Sequence, residues 1–190
     1  MDTTSIYHVD ALDRIVEVND AWLLFARQNA WQVERSDLIG QPLWRFLTDP
    51  TTINIYQLVM ERARQHDAPI QMPFRCDSPT LKRFMTLKIR HQGEGLLIFE
   101  GQLERLEHRD PLSLPEGDPL LASAFVTMCG WCKKIRTNPR QWQELEEAIA
   151  TLNLFEAPHT FLITHGMCEG CFARINRKLN PKKNSKDPLQ

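Results

Sequence analysis

Long apolar runs are missing from this 190-residue sequence. No stretch approaches the roughly 18 residues that would span a bilayer, so no membrane helix is expected. The N-terminus lacks a basic segment followed by an apolar one, the signature of a secretory leader, and a cytoplasmic location is the resulting expectation. A Walker phosphate loop, a dinucleotide fingerprint, a nucleophile elbow and a general acid–base carboxylate pair are all missing too. Asp10, Asp13 and Asp20 frame a turn and a helix cap and do not have calcium-loop spacing. These absences point away from an enzyme. Charge of one sign is also lacking, since the net charge is -1. Its distribution is uneven, however. Residues 1–110 carry 13 basic and 16 acidic side chains, and residues 111–190 carry ten and eight. Six of the latter bases fall between Arg174 and Lys186 with no acid among them.

What is present is a two-part pattern. IYHV and RIVEV read as a strand pair around the turn-forming DALD. NDAWLLFARQNA comes next as a helix capped by Asn19 or Asp20. Asp49-Pro50 opens a longer helix to about His66, with Tyr56, Val59, Met60 and Ala63 on one face. IQMPFRC, LKRFMTLKIR and GLLIFEGQLER are three further strands, the first toward an edge because Pro73 cannot donate to a ladder. The plan is α+β: one five-stranded antiparallel sheet with flanking helices over residues 1–107. Residues 108–120, HRDPLSLPEGDPL, read as a linker. A small α/β unit spans 121–180. ASAFVTM and TFLIT are its strands, Asn138-Pro139 is expected to open a helix with Gln141 as capping-box partner, and FARINRKL is a short helix. Residues 181–190 form a basic tail.

Four of the five cysteines fall in two C-x-x-C pairs, Cys129/Cys132 and Cys168/Cys171, each just after a strand. The haem-attachment pattern is excluded, because Lys133 and Phe172 stand where a histidine would. A redox pair, an iron or iron–sulfur site and an inert reduced set are chemically open readings. Structural zinc, one Zn2+ per chain, accounts for most of the pattern, since four thiolates supply a closed tetrahedron. Gly130 and Gly170 are expected to ease the two turns, and Lys133, Lys134, Arg136 and Arg174 to offset the net charge of -2. His165 reads as a supporting or packing residue and Cys76 as a plain thiol.

The first unit is rich in aromatics. Trp22, Phe25, Trp44, Phe74, Phe84 and Phe99 can line a pocket for an unidentified small molecule as well as form core. Arg75, with Asp77 and Ser78, can supply polar contacts at its rim or form a local ion pair. Glu144, Glu146 and Glu147 are expected to face solvent at a helix start.

VDALDRIVEVNDAW and LIGQPLWRFL resemble the opening and middle of PAS sensor domains, over roughly residues 5–107. CGWCKKIR, Trp142, LEEAI and THGMCEGC resemble a C-terminal four-cysteine module of bacterial sensory and two-component proteins. The resemblance implies a signal-sensing domain, frequently a homodimer, that binds a small ligand or a signalling protein partner. It names no cofactor: a flavin motif is absent and no histidine stands out as a haem ligand. The expectation is a non-enzymatic regulator joining a PAS sensor to a zinc-stabilised interaction module. The rival readings are a thiol/metal redox sensor and a nucleic-acid-binding regulator using RINRKLNPKKNSK.

Overall fold

The computed structural model describes residues 4–29, 31–47, 50–78, 80–111, 124–154 and 161–179. Strands β1 (Ser5–Val9) and β2 (Ile15–Val18) form the expected antiparallel pair. Helix α1 (Asp20–Gln28) begins at Asn19, whose Oδ1 accepts from the amides of Trp22 (2.8 Å) and Ile6 (3.0 Å). One side chain therefore caps the helix and ties it to β1. A short helix α2 (Arg35–Leu38) and a 3₁₀ turn (Leu43–Phe46) lead to α3 (Pro50–Gln65). Strands β3 (Ile70–Arg75), β4 (Leu81–His91) and β5 (Leu97–His108) complete an antiparallel sheet of order β2-β1-β5-β4-β3. This is the five-stranded sheet with flanking helices that the PAS resemblance implies. Ile55, Val59, Met60 and Ala63 of α3 and Leu23 and Ala26 of α1 are buried with Met72, Leu87, Ile89 and Phe99 of the sheet.

Arg64 of α3 ties two turns together. Its Nε donates to the Gly95 carbonyl (3.0 Å), and its Nη2 donates to the Asp10 carbonyl (2.9 Å) and the Asp13 carboxylate (2.7 Å). Gly95 has φ +77°, and a Cβ there would lie 2.7 Å from the Ala11 Cβ. Gly95→Ala therefore adds a clash to a left-handed backbone and should cost about 2 kcal/mol or more in denaturant unfolding. A cost within a few tenths of zero would show that the two turns part easily.

The C-terminal unit holds β6 (Ala124–Cys129), β7 (Ile135–Asn138), β8 (Gln141–Gln143), α4 (Leu145–Leu152), β9 (Phe161–Gly166) and α5 (Glu169–Leu179). Its sheet order is β8-β7-β6-β9, with β6 and β9 parallel. A small core of Val126, Ile135, Leu145, Ala148 and Leu154 lies beneath α4. The helix expected to open at Asn138-Pro139 does not start there. Asn138 Oδ1 accepts from the Arg140 amide (3.0 Å), and its Nδ2 donates to Gln141 Oε1 (2.8 Å), closing the β7–β8 hairpin. The asparagine that would cap a helix instead stabilises a turn, and apolar helical spacing begins only at Leu145.

The two units pack together. Cys129, Trp131, Cys168, Cys171 and Ile175 belong to the same buried cluster as Val9, Val59 and Phe99. The expected linker lies mostly in residues 112–123, outside the described residues, as does the basic tail. Among the described residues no helix is long and apolar enough to cross a membrane.

Candidate metal centre and adjoining cavity

The end of β6, the start of α5 and the segments beside them bring the four cysteines to one point. The Sγ atoms of Cys129, Cys132, Cys168 and Cys171 all lie within 4.8 Å of one another. Cys132 and Cys168 are 3.7 Å apart. A tetrahedron with metal–sulfur bonds of about 2.3 Å has edges of about 3.8 Å, so the donor set fits a four-coordinate thiophilic cation.

Backbone geometry explains the convergence. In the first turn the Lys133 amide returns to the Cys129 carbonyl (2.9 Å), and the Cys129 amide donates to the Lys134 carbonyl (2.8 Å). The left-handed residue is Lys133, at φ 63°, and neither Gly130 nor Gly170 has positive φ. Gly130 serves a close approach instead: a Cβ there would meet Thr52 Oγ1 of α3 at 3.3 Å. Lys133 Nζ donates to the Gly130 carbonyl (2.9 Å), placing a cation against the turn. The second pair is built on a helix start. Cys168 Sγ accepts from the Cys171 amide (3.4 Å), as an N-capping side chain does, and Cys129 Sγ accepts from the Cys168 amide (3.4 Å).

As thiols, Cys129, Cys132 and Cys171 share protons. Hydrogen bonds from Cys132 and Cys171 hold Cys129 well below the ordinary thiol range. The same bond to Cys129 pushes Cys132 up to about 12 and raises Cys171 further. A bound dication removes this competition, since a coordinating thiol is deprotonated outright. His165 is exposed on β9 and lies outside the cluster. Cys76 is half-buried and outside the cluster, and burial raises its thiol.

Trp131, inside the first cysteine pair, connects the cage to the first unit. Its Nε1 donates to the Pro73 carbonyl (2.7 Å), and its own carbonyl accepts from the Arg75 amide (2.8 Å). Both contacts fall on the outer edge of β3, where Lys178 of α5 also donates to the Gln71 carbonyl. The Trp131 ring meets Tyr56 edge-on at 6.1 Å, and Tyr56 and Tyr7 both stack on Phe99.

Tyr7 and Tyr56 line a cavity of about 220 Å³ inside the first unit, with Trp22, Phe25, Trp31 and Phe74 among its other walls. Trp44, Arg75, Phe84 and Phe99 do not line it. Phe99 is core behind the tyrosines, and Phe84 lies between Arg105 (3.8 Å from the ring centroid) and Arg75 (5.3 Å). Arg75 pairs with Asp77 and with Glu144 (2.6 Å), so it joins the two units and does not rim the cavity. Glu146 likewise pairs with Lys82 at 2.7 Å. Of the three acids expected in solvent, only Glu147 is exposed, because cations on β3 and β4 draw the other two inward. Sequence reasoning missed Tyr7 and Trp131 and placed Tyr56 only on a buried helix face. No local signal pairs residues so distant in the chain.

Burial first of all raises the Tyr7 and Tyr56 hydroxyls above the ordinary 10.0, Tyr7 more strongly. They are the only tyrosines, so phenolate absorbance reads them alone. At pH 10 the native protein should show far less phenolate than the urea-unfolded chain. The unfolded tyrosines ionise first, so stability should fall as pH rises above about 10. Half-ionised tyrosine at pH 10 in the folded state would contradict this burial.

No family model matches the sequence, and no curated protein does. Similar solved structures include a domain of an HTR-like protein from Haloarcula marismortui (14% identity, TM-score 0.41, 55% of this chain and 100% of that one). The PAS domain of the Cronobacter turicensis RpfR quorum-sensing receptor, in complex with C12:0, is 13% identical, with TM-score 0.43 over 55% of this chain and 97% of that one. The PAS-B domain of Drosophila melanogaster Cycle with bound glycerol is 9% identical, with TM-score 0.39 over 53% and 99%. The functional reading therefore rests on the geometry of the cage and cavity themselves.

Proposed function

We propose that this chain is a non-enzymatic sensor and regulator. Its cavity takes a small, mainly apolar ligand, and its four-cysteine module is held by one structural zinc ion. The observation that carries the reading is a shared wall: Tyr56 faces the cavity on one side and touches Trp131 of the cysteine turn on the other. A cavity near 220 Å³ with aromatic and aliphatic walls suits a ligand of about benzene to indole size. Four thiolates leave no open coordination position, so the zinc supplies rigidity and not a reactive water. Ligand binding shifts the population of module arrangements, and the change passes to a signalling partner or across a homodimer of the sensor unit.

Elemental analysis and thermal shift on the full chain test this reading. The expected result is one zinc per chain, no visible absorption band, and stabilisation by millimolar benzene or indole that Leu47→Trp, which fills the cavity, abolishes. Iron with visible bands would overturn the zinc assignment. Indifference to both apolar probes would overturn the ligand assignment.

A further inference from the structure

We propose that Cys132 is a modification site, where a peroxide-class oxidant opens the cysteine cage and so frees Trp131 from β3. The proposal rests on the four-thiolate reading of the cage. Cys129, Cys171 and Cys168 expose 0%, 2% and 7% of their surface, whereas Cys132 is only half-buried. It borders a cleft of about 360 Å³ between strands β3 and β4 and the cage, lined also by Arg75, Phe84, Lys134, Glu144, Arg174 and the far less exposed Cys171. Susceptibility to oxidation follows thiolate character and access, and a metal-bound cysteine beside an open cleft has both. Lys134 and Arg174 border the same cleft and favour the hydroxide that leaves.

The chemistry balances in two steps. The Cys132 thiolate attacks one peroxide oxygen, the O–O bond breaks, and hydroxide departs, leaving a sulfenic acid. Sulfur is oxidised by two electrons and peroxide is reduced by two. The Cys168 thiolate, 3.7 Å away, then attacks that sulfur. A disulfide forms and a second hydroxide leaves. With two of its four ligands consumed, the cation is released. Trp131 precedes Cys132 directly in the chain, so drawing Cys132 toward Cys168 pulls on the two hydrogen bonds to Pro73 and Arg75.

The test uses the full metal-loaded chain carrying Cys76→Ser, which removes the thiol outside the cage. Limited iodoacetamide followed by peptide mapping should find Cys132 alkylated at least about tenfold faster than the other three cage residues. One equivalent of hydrogen peroxide should release one zinc per chain, yield a disulfide containing Cys132, and speed hydrogen exchange of the Arg75 amide. Dithiothreitol with zinc should reverse all three. A metal-loaded chain whose Cys132 reacts no faster than its neighbours, or whose Arg75 amide stays protected after zinc release, overturns this proposal alone. A chain that takes up no metal overturns the cage reading as well.

Discussion

Chelating the metal proposed for the cage should lower the unfolding midpoint of this chain by at least about 10 °C, and the loss should reach the five-stranded unit. A ligand that binds only the folded state stabilises by mass action, and structural zinc sites contribute on the order of 10 kcal/mol in favourable cases. Loss of only about 4 kcal/mol already lowers the midpoint by roughly 8–16 °C in a chain of this size. The extent of the effect follows from packing. Cys129, Cys168 and Cys171 lie in one buried cluster with Val59 of α3 and Phe99 of β5. Trp131 fills that cluster and makes two hydrogen bonds to β3. Calorimetry of the loaded protein should therefore give one transition that includes the five-stranded sheet, and Cys129→Ser should reproduce the chelated state. Two separate transitions, with the sheet's transition unmoved by chelator, would show that the units are energetically independent.

Arg75→Ala should cost about 3–5 kcal/mol, among the largest losses available to a charged residue in this protein. The guanidinium is 7% exposed and pairs with Asp77, itself 9% exposed, and with Glu144. Removing it leaves the Asp77 carboxylate buried with its remaining cation, Arg109, at 3.7 Å. A buried carboxylate stripped of its closest cation costs far more than a surface ion pair contributes. Glu144→Gln, at the half-exposed end of the same group, should therefore cost about 1 kcal/mol or less. Equal costs for the two substitutions, measured by urea unfolding, would mean that water reaches Asp77.

Local chemistry made much of this architecture legible. Asn19 and Pro50 mark helix starts, Pro73 marks an edge strand, and alternation at Met85, Leu87 and Ile89 marks a half-buried strand. The cysteine cluster was legible because two identical spacers after two strands need a common purpose. The helix start misread at Asn138 shows the limit, since the same side chain serves a cap or a turn and the residues downstream of it decide between them. Long-range placement was not legible. The rim residue expected at Arg75 is an interdomain ion pair because its partner, Glu144, lies 69 positions away. Trp131 reads as a spacer between cysteines until β3 is placed beside it.

The masking of β3 by Trp131 and Lys178 also has a consequence for the growing chain. Both masking residues are synthesised after the strand they cover, and Lys178 comes after Arg75 by roughly a hundred residues. At about 5–20 residues per second, roughly 5–20 s pass before both covering residues are made, and until then the outer edge of the strand is not fully covered. During that interval Pro73, which offers no amide to a neighbouring nascent chain, is the guard already built into β3.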